Sequence, residues 1–139
     1  MKKTIVIAMT ALILGISSCS TQNSTTKNLD INGDWRVSSI GGEDVPETLE
    51  EATLSFDENT QSYHGVTGVN LINGSYQLDD HTLTIGEGAM TRKMGDSISN
   101  DIEMKYINAI HATKSVTRED GKLILQDDAG NTLMVLVKE

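Results

Sequence analysis

Four shortages stand out in this chain, and each excludes a class of protein. Cysteine occurs once in 139 residues, at position 19. No disulfide can close within the chain, whatever its redox compartment, so its stability has to come from core burial. Aromatic side chains are 4 % of the residues and are not interleaved with basic ones, so a platform for stacking bases is missing. Positive charge is scarce as well, with 11 Lys+Arg against 20 Asp+Glu and a formal net charge of −9. Such a surface repels phosphate backbones, which excludes nucleic acid as a partner. Long hydrophobic runs are also wanting. The most apolar stretch, Ile5 to Ile16, has about a dozen residues, and a helix needs about 20 to cross the hydrocarbon core.

That short stretch carries information of its own. Lys2 and Lys3 precede it and the small residues Ser17 and Ser18 follow it, the layout of an export signal. Ile16-Ser17-Ser18-Cys19 resembles the lipobox of bacterial lipoproteins. The resemblance implies diacylglyceryl transfer to the Cys19 sulfur, cleavage before Cys19, and acylation of the new amino terminus. Each buried methylene contributes about 0.8 kcal/mol, so several acyl chains hold a protein where one does not. Residues 1–18 are therefore expected to be a signal peptide and 19–31 a lipidated cysteine with a flexible tether. The polar, aperiodic Ser20 to Lys27 gives that tether a reach of ~20 Å. Loss of the two signal lysines takes the formal charge from −9 to −11. Ser20 after the cysteine, where Asp would be the alternative, resembles lipoproteins passed to the outer membrane. The expected location is that membrane, facing the periplasm.

From Gly33 the text turns to β. Trp35 and Val37 alternate with Arg36 and Ser38, and Ala52, Leu54 and Phe56 alternate in the next run. Tyr63 to Val66, Ser75 to Leu78 and Thr82 to Ile85 form further short strands. Ser115 to Arg118, Lys122 to Gln126 and Thr132 to Lys138 form a closing meander, with Asp120-Gly121 as a hairpin turn. One segment departs from this period. Ile98, Ile102, Tyr106 and Ile110, with Ile107 beside them, predict an amphipathic helix of about three turns. Ser97 or Ser99 is expected to cap it, Asp101 and Glu103 to favour its positive end, and Asp101–Lys105 to pair across one turn. The expected fold is mainly β (α+β), a curved antiparallel sheet or open barrel-like arrangement over residues 32–139 with one packed helix.

The order of these pieces resembles the META domain family, the group that includes the heat-shock-inducible outer-membrane lipoprotein of enteric bacteria. The match rests on Gly33-x-Trp35, an apolar strand ending at Phe56, Gly65-Val66-Thr67-Gly68-Val69-Asn70, and Gly74-x-Tyr76. Thr91 and Met94 before the helix and the terminal meander complete it. Many members have a cysteine before the asparagine and another just ahead of the helix; here those places hold Val69 and, by rough alignment, Asp96. The family's disulfide is therefore missing, and an inward-packed, buried Val69 is expected to replace part of it. The resemblance implies a fold and an envelope location and supplies no reaction.

No residue pattern advertises catalysis. His64, His81 and His111 fall on a strand, in a turn and at a helix end, without metal-ligand spacing. No Gly-x-Ser-x-Gly elbow is present, and Gly86-Glu87-Gly88 lacks the lysine and helix of a phosphate loop. Asp79-Asp80 and Asp127-Asp128 lack the alternate spacing of a calcium loop. No catalytic residue, metal or cofactor is expected. Asn70, flanked by Gly68 and Gly74, is expected to fix a loop, with φ > 0 and a side chain bonded to its own backbone. Thr91-Arg92-Lys93 is the one cluster of positive charge. The expectation is a monomeric, non-catalytic envelope protein that contacts another protein and the membrane through its anchor. A carrier of small molecules or lipid, with a cavity enclosed by the sheet, is the alternative.

Overall fold

The computed structural model describes residues 27–46 and 52–139. The expected signal peptide, Cys19 and the tether as far as residue 26 lie outside them. Ten antiparallel strands run β1 (Gly33–Ile40), β2 (Glu43–Asp44), β3 (Thr53–Asp57), β4 (Ser62–Val66), β5 (Leu71–Asp79), β6 (Thr82–Ile85), β7 (Ala89–Met90), β8 (Ser115–Glu119), β9 (Lys122–Gln126) and β10 (Thr132–Lys138). The helix α1 (Ser97–Ala112) sits between β7 and β8. The strands are ordered β10-β9-β8-β6-β5-β4-β3-β1-β2, β7 adds to β5, and β10 also pairs with β1. That last pairing closes the curved sheet into a ring. Its weakest junction is β6–β8, joined at the single pair Thr82↔Ser115.

Alternation drives the closure, because every ring strand sends one face inward. Trp35, Val37, Leu54, Phe56, Tyr63, Leu83, Leu123, Leu125, Met134 and Leu136 are all buried in one core. Phe56 meets Tyr76 edge to face, with centroids 5.1 Å apart. Extra residues between Val37 and Ser39 in β1 and between Thr132 and Met134 in β10 bend those strands. The β8–β9 turn uses Asp120 (φ 50°) and Gly121 (φ 76°), the left-handed pair that the sequence signals.

The two ends of the ring are closed differently. At one end, residues 28–32 form a strap laced across the strand ends. Asn28 Nδ2 donates to the Leu78 carbonyl (3.1 Å), and its Oδ1 accepts from the Asp80 amide (2.8 Å). Trp35 Nε1 donates to Ile31 O (2.9 Å), Arg118 to Asp30 O (3.2 Å) and Lys138 Nζ to Asn32 O (3.1 Å). Ile31 is buried in the core and Leu29 packs against it. The folded domain thus begins before the expected boundary at residue 32, since apolar Leu29 and Ile31 have a core to join. At the other end α1 lies across the ring, 16 residues against the three turns expected.

α1 corrects three expectations. Asp101 and Glu103 lie beyond its first turn, which holds no acidic residue, so neither favours its positive end. Its N-cap is Asp96, whose carboxylate accepts from the Ser99 amide at 2.7 Å, not Ser97 or Ser99 themselves. Ile98 is 59 % exposed, whereas Ile102, Tyr106 and Ile110 are buried. A spacing of four drifts about 40° per step on a helix, so the first member of the series leaves the face that Tyr106 centres. The Asp101–Lys105 pair is present at 2.9 Å.

Candidate functional site

Polar groups gather at the helix end of the ring, where the β4–β5 loop meets the loop before α1. Thr67 and Asn70 fold that first loop on itself. Thr67 Oγ1 accepts from the Asn70 amide (3.0 Å) and donates to the Asn70 carbonyl (3.2 Å). The left-handed residue is Gly68 (φ 103°), not Asn70, whose φ is not positive. With glycine absorbing the turn, the Asn70 side chain is free to reach away from its own backbone. Its Oδ1 accepts from the Lys93 amide (2.7 Å) and Thr91 Oγ1 (2.8 Å). Its Nδ2 donates to Lys93 O (3.1 Å) and to both carboxylate oxygens of Glu103 (2.8 and 3.1 Å). The reversed amide would set NH₂ against the Lys93 N–H, so the network fixes its orientation. Asn70 and Glu103 are both buried.

Gly74 stands outside this loop, within β5. A Cβ there would meet the Tyr63 ring at 2.8 Å, so its role is to let that ring lie flat on the strand. Val69 is half-buried, not buried. It lies against Gly95, where a Cβ would meet a Val69 methyl at 2.7 Å. Thr67 and Asn70 take the inward places of the loop, which leaves Val69 on its flank.

Glu103 serves the loops and not the positive end of the helix. A carboxylate taken out of water needs hydrogen-bond donors, and Asn70 supplies one to both oxygens. Together they tie α1, the β4–β5 loop and the Thr91–Lys93 backbone into one unit. The two hydroxyls that join them, Thr67 Oγ1 and Thr91 Oγ1, are both bonded to Asn70. The Tyr106 hydroxyl, held far above its usual pKa by burial, donates to the Thr53 carbonyl at 2.7 Å. Gly65 makes that reach possible, because a Cβ there would collide with Thr53 O and Tyr106 Oη.

The remaining sequence candidates disperse. His64 and His111 are exposed, and His81 Nδ1 lies 3.1 Å from Val116 O. Among the described residues no group of three His, Cys, Asp or Glu can hold a metal. Asp127 accepts from Asn131 and from the Ala129 amide, and these bonds hold its carboxyl below the usual range. Gly86 and Gly88 lie under Tyr63, whose hydroxyl donates to Gly86 O (2.9 Å). Arg92, Lys93 and Met94 are exposed, Met94 at 94 %.

The hollows lie outside the packed ring. One of about 620 Å³ is bordered by the strap and by Asn59, Gln61 and Tyr76. A groove runs between α1 and the β1–β2 hairpin. Its larger part, about 360 Å³, is floored by Ile40, Ala109 and Leu133. Its smaller part, about 140 Å³, is lined by Val45, Ile98 and Ile102, and both parts share Ile40, Glu43 and Lys105. Lys105 Nζ bridges the two walls to Glu43 at 2.6 Å. Neither this groove nor the Asn70–Glu103 pairing was visible to sequence reasoning. Their partners lie 33 and 62 residues apart and follow no period.

A closed antiparallel ring capped by one helix, with its polar centre turned to holding loops, defines a small β scaffold. The META domain profile matches residues 27–139, and the chain belongs to the META domain family. Solved structures share the fold. A protein from Burkholderia xenovorans, solved by NMR, is 24 % identical with a TM-score of 0.61, over 78 % of this chain and 83 % of that one. A DUF4847 family protein from Bacteroides vulgatus is 14 % identical with a TM-score of 0.58, over 78 % and 94 %. At these identities the likeness concerns the fold alone. A search of curated proteins gives no match.

Proposed function

We propose that this chain is a non-catalytic envelope lipoprotein, anchored through Cys19 in the outer membrane and facing the periplasm, whose domain works by contact with another protein. The observation that carries the contact reading is the use of the interior. Trp35, Leu54, Tyr63, Leu123, Leu125, Met134 and Leu136 fill the ring at 1 % exposure or less. A ring packed in this way has its surface, not a lumen, to offer. The buried polar groups support the same reading, since Asn70, Glu103, Thr67 and Ser99 bond to loops and to the helix start. The fold suits a tether as well. The described chain enters along the strap, at the end opposite α1, so a tether attached there leaves the helix end of the ring uncovered by its own attachment.

The carrier reading would use a surface hollow, either the one of about 620 Å³ beside the strap or the apolar groove along α1. Affinity capture of the lipidated protein from its own envelope, followed by mass spectrometry, separates the two. One stoichiometric protein partner supports contact. A bound lipid or metabolite, with no protein, refutes it in favour of carriage.

A further inference from the structure

The groove along α1 has the form of a docking site, and its chemistry restricts what enters. Its floor is apolar and its turning residues are small: Ala109 and Ala112 on the helix, Gly41 on the hairpin. From Ala112 to Ile98 it follows about 21 Å of helix, the reach of some six extended residues. That is the shape for a peptide segment more than for a compact small molecule. Ile98, 59 % exposed, lines the smaller part from the α1 side. An apolar side chain of that size, left in water next to an apolar floor, marks a contact surface.

Charge settles the sign of the partner. Glu43, Asp44 and Asp101 edge the groove, and Lys105 is the one cation among the described residues that line it. Lys105 is held by two of these carboxylates, Glu43 at 2.6 Å and Asp101 at 2.9 Å. One ammonium between two acids leaves the rim negative, and Asp44 adds to it. The Lys105–Glu43 bridge crosses the groove between exposed side chains, so an incoming basic group can displace it at little cost. Anionic lipid headgroups are repelled by the same rim.

We propose that this groove docks a cationic, amphipathic segment of a partner protein, laid along α1 from Ala112 to Ile98. Its apolar side chains seat over Ile40, Ala109 and Leu133, and its basic side chains meet Glu43, Asp44 and Asp101. The proposal deepens the contact reading and rests on it. The test uses the full lipidated chain in phosphatidylcholine nanodiscs, with empty nanodiscs as blank. The probe is a fluorescein-labelled peptide of about twelve residues alternating Leu and Lys, read by anisotropy against its Leu/Glu counterpart. The Leu/Lys peptide is expected to bind and the Leu/Glu peptide to fail. Ala112→Trp, at an exposed position, fills the groove and weakens binding by about tenfold or more with an unchanged melting curve. Glu43→Lys with Asp101→Lys reverses the preference. Glu119→Gln with Asp79→Asn, at the opposite end of the ring, leaves it unchanged. Equal binding by the parent and Ala112→Trp overturns the proposal, as does an equal loss in the Glu119/Asp79 control. Saturable adsorption to phosphatidylglycerol vesicles that Ala112→Trp abolishes would reassign the groove to lipid and also overturn it. Failure here leaves Cys19 acylation and stoichiometric capture untouched, so the two readings fail separately.

Discussion

Replacing Asn70 strikes the point where three segments are joined. Asn70→Ala removes the acceptor for the Lys93 amide and the Thr91 hydroxyl, and the donor to Lys93 O and the Glu103 carboxylate. A buried polar group left unpaired costs about 1–3 kcal/mol, and more where it is charged. Thr91 is exposed and regains water, so the main cost falls on Glu103 and the Lys93 amide. The expected destabilisation is about 3–5 kcal/mol, in line with losing one partner of a buried charged group. For a domain of this size that lowers Tm by roughly 15–25 °C. Asn70→Asp tests the cause. It keeps the shape and puts an acceptor oxygen where Nδ2 donates to Glu103 and to Lys93 O, so it should cost as much as Asn70→Ala or more. Thermal melting by circular dichroism, with urea titration at pH 7, measures both. A loss under about 1 kcal/mol for Asn70→Ala would refute the reasoning, and so would an Asn70→Asp chain as stable as the parent.

Three further outcomes follow from the same geometry. Gly65→Ala drives a Cβ into Thr53 O and Tyr106 Oη and should cost several kcal/mol by overpacking; Tyr106→Phe, losing one buried hydrogen bond, should cost about 1–2 kcal/mol. Adding Tyr106→Phe to Gly65→Ala should recover part of the loss in a double-mutant cycle, and strict additivity would contradict the shared contact. Burial raises the pKa of Tyr63, Tyr76 and Tyr106 above the ordinary 10.0, so their contribution is complete below that pH and is lost as pH rises past it. Tyrosinate absorbance should therefore appear together with unfolding in alkali, and full ionisation of a still-folded protein would count against the buried hydroxyls. Asp96 is held below its usual pKa by the Ser99 amide, so its cap is fully effective above about pH 4 and fails as pH falls through the lowered value. Asp96→Asn keeps a capping oxygen without the ionisation and should flatten that acid limb of the stability curve; an unchanged limb would contradict the assignment.

Alternation made much of the ring legible. β6, β9 and β10 span the residues that a period of two picks out, because one face of each meets the core. The early part of β5 was hidden. Leu71 and Asn73 face outward and Gly74 breaks the period, so Leu71–Gly74 reads as loop although it pairs with β4. The closure by β1–β10 was also invisible, since it joins the first strand to the last across the whole chain. Asn70 could be singled out between glycines, but not its partners. Glu103 looks like any acid near a helix start until the loops bring Asn70 beside it, and the Lys105–Glu43 bridge that crosses the groove has no local signature at all.

The central claim is a contact domain held to a membrane by acylated sulfur, and intact-mass spectrometry of the chain purified from its own membranes tests it most directly. The predicted species begins at Cys19, lacks residues 1–18 and carries the mass of a diacylglyceryl group plus an amide-linked acyl chain. The matching Cys19→Ala chain should leave the membrane fraction. A mature protein with a free thiol at Cys19, or a Cys19→Ala chain that still sediments with membranes, would contradict the account.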